Sequence, residues 1–261
     1  TYMSNLSIEQ QAADALLQAQ VSGQAIGPIR ETIGADNIAA AYNIQKINTD
    51  KRIAQNEKVV GKKIGLTSFA VQKQLGVDQP DYGVLFDTMQ VREGVVHYSH
   101  LQQPKAEAEI AFVLSEDLTR DVNMSDLINA IDYAAVSIEI VGSRIANWDI
   151  KITDTIADNA SASHFILGES RVPLSQIDLE KCKMSLIRNG EVVSEGSGAA
   201  CMDNPLNAAL WLAQTMAEMG NPLKAGEVLL SGALGPMVPI EQGDKFEAVI
   251  EGLGSVQLAI V

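Results

Sequence analysis

The spacing of apolar positions divides the chain into two textures. Up to about residue 58 apolar residues recur at helical intervals. Ser7 and Gln10 form a capping box that opens an Ala/Leu-rich helix to about Ser22, with Gly23 as its stop. A second helix is expected from Asp36, the candidate cap, through Ala40, Tyr42, Ile44 and Ile47 toward Ala54. From Val59 onward the runs shorten and read as strands: Val59 to Thr67, Val84 to Val91 and Val95 to Tyr98 around a Glu93-Gly94 turn, Ile110 to Leu114, and Ala134 to Val141. Met184 to Arg188 and Val192 to Glu195 flank Asn189-Gly190, a pair suited to a type I′ turn. Glu227 to Ser231, Lys245 to Ile250 and Ser255 to Ile260 complete the strands. Short helices are predicted at Ser68 to Gly76, from Ser125 through Ile131, and after the Asn204-Pro205 cap as far as Gly220. Two polar stretches, 77–83 and 148–164, read as loops. The strands lack regular helical crossovers, so the class is α+β. A helical N-terminal region, residues 1–58, precedes a curved β-rich core, residues 59–261, within one integrated unit.

One stretch within this pattern carries chemistry. In Pro104-Lys105-Ala106-Glu107-Ala108-Glu109 two acids stand two residues apart at the start of a strand, so both face the same side, roughly 6 to 7 Å apart along the backbone. The apolar run after them has both parities filled, which predicts a strand covered on both faces. Buried carboxylates at that spacing take up protons unless a cation lies between them. Glu139 interrupts a second apolar strand between Ile138 and Ile140, and could supply a third oxygen donor or pair with Arg144. Three carboxylates suit a hard divalent cation. From these residues alone, a solvated strand end with two harmless acids stays an alternative.

Lys63 shares its strand parity with Gly61 and Gly65, a face stripped of side chains as a cleft wall would be. Beside an oxyanion it could polarise a carbonyl or relay a proton; a solvated lysine at a sheet edge explains it too. Asp81 and Ser161 fall in the two polar loops, where each could handle protons and each could equally serve a turn. His97, His100 and His164 show no metal-ligand spacing and read as structural or surface residues. The glycine clusters match neither a P-loop nor a dinucleotide fingerprint.

Composition narrows the partners. With 19 basic and 33 acidic residues the formal charge is −14, which argues against a nucleic-acid surface and leaves no basic patch for anionic lipid. An anionic substrate would need a bound cation or a few aimed lysines. Cys182 and Cys201 have no disulfide or zinc spacing. The start of the chain has no signal-peptide pattern and no run is long enough for a membrane span, so a cytoplasmic location is expected, and Thr1-Tyr2 ahead of Met3 reads as an added remnant.

Six segments in order carry a resemblance across nearly the whole chain: Gly-Lys-Lys-Ile-Gly-Leu-Thr at 61–67, Gln-Pro-Asp-Tyr-Gly at 79–83, Lys-Ala-Glu-Ala-Glu-Ile-Ala-Phe at 105–112, Ile-Glu-Ile-Val-Gly-Ser-Arg at 138–144, Asp-Asn-Ala-Ser at 158–161 and Ser-Gly-Ala-Leu-Gly-Pro-Met at 231–237. Together they resemble the 2-hydroxypenta-2,4-dienoate hydratases, also called 2-keto-4-pentenoate hydratases, in the hydratase and decarboxylase branch of the fumarylacetoacetate hydrolase superfamily. The resemblance implies a mixed β-sandwich or β-roll core, a homo-oligomer (pentamer or decamer), possible association with other enzymes of an aromatic-degradation pathway, and a Mg2+ or Mn2+ ion. By matching positions, Glu107, Glu109 and Glu139 would hold the metal, and Lys63, Asp81 and Ser161 would be the catalytic groups acting on a small anionic 2-oxo/2-hydroxy dienoate. Ala162-Ser163-His164 departs from the Cys-Gly-apolar sequence of many relatives. The alternatives within the branch are a 4-oxalocrotonate decarboxylase or a hydratase of a longer 2-oxo-enedioate; outside it, a non-catalytic metal- or ligand-binding subunit.

Overall fold

The computed structural model describes residues 6–261, so Thr1 and Tyr2 lie outside the described residues. The N-terminal region holds helices α1 (Ile8–Ser22), α2 (Arg30–Ile33) and α3 (Ile38–Ala54). The capping box at Ser7 and the left-handed Gly23 bound α1 as expected. The cap of α3 is Asn37, not Asp36: the Asn37 carboxamide accepts from the Ala40 N–H, and either residue type could serve.

The core follows as β1 (Val59–Gly65), α4 (Phe69–Gln74), β2 (Asp81–Phe86), β3 (Val95–Val96), β4 (Lys105–Leu114), α5 (Met124–Ala130) and β5 (Ile131–Val141). Then come α6 (Ile152–Ala157), β6 (Ala162–Leu167), β7 (Lys183–Arg188), β8 (Glu191–Ser197), α7 (Pro205–Glu218), β9 (Val228–Ala233), β10 (Val238–Pro239), β11 (Lys245–Ile250) and β12 (Gly254–Ile260). One sheet runs β2-β1-β9-β4-β5-β6 with β10 beside β4; a second runs β3-β12-β11-β7-β8. β1 and β9 are parallel, while β4 is antiparallel to both β5 and β9. Mixed helix and sheet with a helical N-terminus and two curled sheets is the expected α+β architecture.

Parity decides which residues meet. The even positions of β4 (Ala106 to Leu114) and β5 (Ala134 to Ile140) pack with Phe246, Ile250, Leu258 and Ile260 of the second sheet in one continuous core. The odd positions therefore face away from it, and Lys63, Glu107, Glu109 and Glu139 all have odd parity on their strands. Farther along that same face Ala111, Val228 and Leu230 pack with Phe86 and Phe165, so the four charged groups occupy one end of an otherwise apolar surface.

Four further expectations are corrected. Strand β2 begins at Asp81 rather than Val84, and Asp81 pairs with Gly65 across the ladder instead of lying in a loop. Gly83, read as a turn residue, is a mid-strand position where a Cβ would collide with the Asn159 carbonyl. Residues Asp87–Met89 form a 3₁₀ turn, and β3 joins the second sheet parallel to β12 rather than pairing across the Glu93-Gly94 turn. The polar stretch 148–164 is also largely ordered: it contains α6, a 3₁₀ turn and the start of β6.

Candidate active site

Glu107 on β4 lies directly across the ladder from Glu139 on β5, and Glu109 follows two residues along. One oxygen from each of these three buried carboxylates can be chosen so that all lie within 4.8 Å of one another. The Glu109 Oε1 accepts from the Gly232 N–H at 2.8 Å. Among the described residues the other Glu109 oxygen and both Glu139 oxygens have no hydrogen-bond partner. Burial is the first cause of the raised pKa of Glu107, pushed up to about 7, with Glu139 adding and Lys63 opposing. Glu109 is held well above the usual carboxylate range by burial first and by Glu139 next. Orphaned, mutually repelling buried oxygens are what a divalent cation would relieve, so the donor set fits one. Among the described residues no other such cluster of acids, cysteines or histidines occurs.

Lys63 reaches this group from β1. Its Nζ is 3.2 Å from Glu139 Oε2 and donates to the Ala160 carbonyl at 2.6 Å. Burial works to lower its pKa, but Glu139, Glu107, Asp81 and Glu109 together outweigh it, so Lys63 stays an ammonium. Arg144, the alternative partner for Glu139, instead binds Asp158, with Nε to Oδ1 at 2.6 Å.

Asp81 stands where Gly65 leaves room: a Cβ on Gly65 would strike the Asp81 carboxylate. Its Oδ1 has no hydrogen-bond partner among the described residues. Burial pushes the Asp81 pKa up to about 6, Lys63 opposing and Glu139 adding, so its carboxyl can exchange a proton near neutral pH.

Ser161 closes the third side. Asn159, Ala160 and Ser161 all have left-handed backbone, at φ 54°, 51° and 61°. Each costs of order 1 kcal/mol, so the surroundings must hold the turn in place. They do so at every residue. Asn159 exchanges two hydrogen bonds with the Val84 backbone, at 2.8 and 2.9 Å, as a strand would. Ala160 receives Lys63, and the Ser161 carbonyl accepts from Gly142 at 2.9 Å. The Ser161 hydroxyl meets Thr155 Oγ1 at 3.0 Å.

These groups line a cavity of about 700 Å³. Lys63, Asp81, Glu107, Thr155 and Ser161 border it, while Leu66, Val71, Leu75, Ile150 and Met237 supply apolar wall. Lys105 and Lys151 also line it, with Lys105 Nζ 4.7 Å from the centre of the Trp148 ring. Neither ammonium has a carboxylate partner among the described residues.

The sequence profile described as fumarylacetoacetate (FAA) hydrolase C-terminal matches residues 65–261. The chain belongs to the fumarylacetoacetate hydrolase family. It is 52% identical over 250 residues to a 2-keto-4-pentenoate hydratase of Paraburkholderia xenovorans, covering 95% of this chain and 93% of the relative. It is 40% identical to a 2-hydroxyhexa-2,4-dienoate hydratase of Comamonas testosteroni, over 98% of both chains. A solved 4-oxalocrotonate decarboxylase from Pseudomonas putida G7, complexed with magnesium and adipate, superposes with a TM-score of 0.93 at 35% identity, covering 98% of this chain and 99% of that one.

Within this family member, all six residues singled out from the sequence fall around one cavity or directly behind its wall. The sequence reading missed Thr155, Lys105, Trp148 and Lys151. Thr155 lay in a stretch read as loop, where no helical register could bring it under Ser161. Lys105 carried a readable signal, since it shares strand parity with Glu107 and Glu109.

Proposed function

We propose that this chain is a metal-dependent hydro-lyase that adds water to 2-hydroxypenta-2,4-dienoate to give 4-hydroxy-2-oxopentanoate, in the degradation of aromatic compounds. The observation that carries this reading is the buried carboxylate cluster with unpartnered oxygens, faced by an ammonium and a proton-exchanging acid at one cavity. The identity of about half the residues to 2-keto-4-pentenoate hydratases supports the substrate.

Glu107, Glu109 and Glu139 would hold Mg2+ or Mn2+, and such a cation supplies a Lewis acid for negative charge at the substrate's carboxylate end. The protein's own groups do the rest. The reaction needs a proton at C5 as the 2-hydroxyl proton leaves, which yields a 2-oxo-3-enoate; water then adds its oxygen at C4 and a proton at C3. In both steps charge passes through the 2-oxygen, and Lys63, fixed by Glu139 and the Ala160 carbonyl, offers that oxygen a permanent positive charge. Asp81, its carboxyl pKa raised by burial and one oxygen without a partner among the described residues, carries the proton. Ser161 orients substrate or water. The apolar wall keeps bulk water from the reacting carbons. Lys105 and Lys151 attract an anion into a protein whose net charge would repel it.

A second reading, decarboxylation of 4-oxalocrotonate, is favoured by the same pair, since two lysines without acid partners could meet a distal carboxylate. One assay separates the two. With the pentadienoate and Mg2+, the diene absorbance should disappear and a hydroxy-keto acid form without carbon dioxide; carbon dioxide from 4-oxalocrotonate at a comparable rate would displace the first reading. We also infer a cytoplasmic homo-oligomer, pentameric or decameric, on the strength of the family resemblance, for which light scattering of the purified protein is the measurement.

A further inference from the structure

We propose that Thr155 is a positioning residue that sets the Ser161 hydroxyl for the reaction; the inference rests on the role assigned above to Ser161. Both side chains are buried and both border the cavity. Both polar groups of the Ser161 backbone are engaged: its N–H donates to the Asp158 carbonyl at 3.0 Å and its carbonyl accepts from Gly142. What remains free is rotation about the side-chain bond. Among the described residues the hydroxyl has one protein partner, Thr155 Oγ1 at 3.0 Å. A serine hydroxyl otherwise takes whichever staggered position the moment favours.

Threonine suits this task because two heavy atoms on its Cβ make it stiff. Its own carrier is stiff as well. Helix α6 is fully buried, and the neighbouring Ile156 carbonyl accepts from the buried Gln45 side chain at 3.1 Å. The same Gln45 nitrogen donates to the Tyr82 carbonyl at 2.9 Å, next to Asp81. At the other end of α6, Arg30 binds the buried Asp154 carboxylate at 2.8 Å. The N-terminal helical region thus holds the element that holds Thr155, and Thr155 holds Ser161. The sharing of one proton between the two hydroxyls leaves Ser161 with a defined direction for its remaining donor or acceptor capacity.

The test is a double-mutant cycle in the metal-loaded full-length enzyme, following the loss of diene absorbance. T155V keeps the shape and removes the hydroxyl; it should lower kcat roughly 10- to 100-fold with KM changed by less than about threefold, the scale set by misplacing one reacting group. T155S, which restores the hydroxyl, should recover kcat to within about fivefold. In an S161A background the same T155V change should cost less than about twofold, because nothing is left to position. Should T155V fail to fold, T155A carries the same cycle. A T155V loss as large in the S161A background as in the wild type would make Thr155 merely structural and overturn the inference. So would wild-type kcat in T155V beside an impaired S161A, which would leave the role of Ser161 intact. Full activity in S161A would instead remove the role of Ser161 itself, and this inference with it.

Discussion

At the scale of single residues, the site is an arrangement of charges that would be untenable separately. Glu109 and Glu139 retain buried oxygens without hydrogen bonds, and Lys63 alone does not neutralise three carboxylates. E107Q should therefore weaken Mg2+ binding at least tenfold, measured by calorimetry, and cut turnover by a hundredfold or more, the scale of losing several kcal/mol of charge stabilisation. Its fold should survive in the absence of metal, since removing one of three repelling acids relieves strain rather than adding it. His164 bears on stability instead. Burial first, then the positive charge of nearby groups, lowers its pKa to about 4, against an ordinary value of 6.5. At this residue the folded protein refuses a proton that the unfolded chain accepts, so the His164 contribution to stability is full above pH 6.5 and is lost as the pH drops toward 4. Between pH 7 and pH 5 the loss from this residue is about 2 kcal/mol. The buried carboxyls with raised pKa act in the opposite direction in both proteins, so the readout is the difference between them: in urea unfolding at the two pH values H164Q should lose less, or gain more, stability than the wild type by about 2 kcal/mol.

At the scale of elements, the strands place the acids and the turn after α6 places the rest. Glu107 and Glu139 meet because β4 and β5 pair in that register; a slip of β4 by one residue would turn Glu107 and Glu109 toward the sandwich core and away from Glu139. The turn at 159–161 is different in kind, since its backbone is strained and depends on its clamps. N159A removes both bonds to Val84 and leaves a buried N–H and carbonyl unpaired there. It should lower stability by about 2–3 kcal/mol. It should also lower kcat more than tenfold, because the acceptor of Lys63 and the Ser161 hydroxyl ride on the same turn; thermal melts and steady-state rates read the two effects.

At the scale of the whole molecule, the two regions distinguished by texture are joined through the site. Ile44 of α3 and Leu16 of α1 pack with Ile145, Ile152 and Ile156 of the core, and Gln45 bonds both β2 and α6. We therefore propose that residues 1–58 and 59–261 fold as one unit, and calorimetry should give a single cooperative transition for both. A divalent cation bound only by the folded state adds to its stability by mass action, about 2.7 kcal/mol at a hundredfold excess over Kd. EDTA should consequently lower Tm and abolish turnover together, and Mg2+ or Mn2+ should restore both. Among the described residues no helix is long and apolar enough to cross a membrane.

Local signals were enough for much of this protein. The caps at Ser7, Ser68 and Asn204, the Asn189-Gly190 turn and the odd parity shared by Glu107 and Glu109 depend on near neighbours only, and the chain states them directly. The order of motifs pointed to the family because it is a property of the chain as written. What tertiary structure decided is every partnership between distant residues: Lys63 with Glu139, Arg144 with Asp158 instead of Glu139, Thr155 with Ser161, and Gln45 across two elements. The position of Asp81 in a strand and the strained turn before Ser161 belong here too, since each is held by contacts that local preference opposes or cannot see. Propensity acts over a few residues. The site is assembled by strand register and burial, which act over the whole chain.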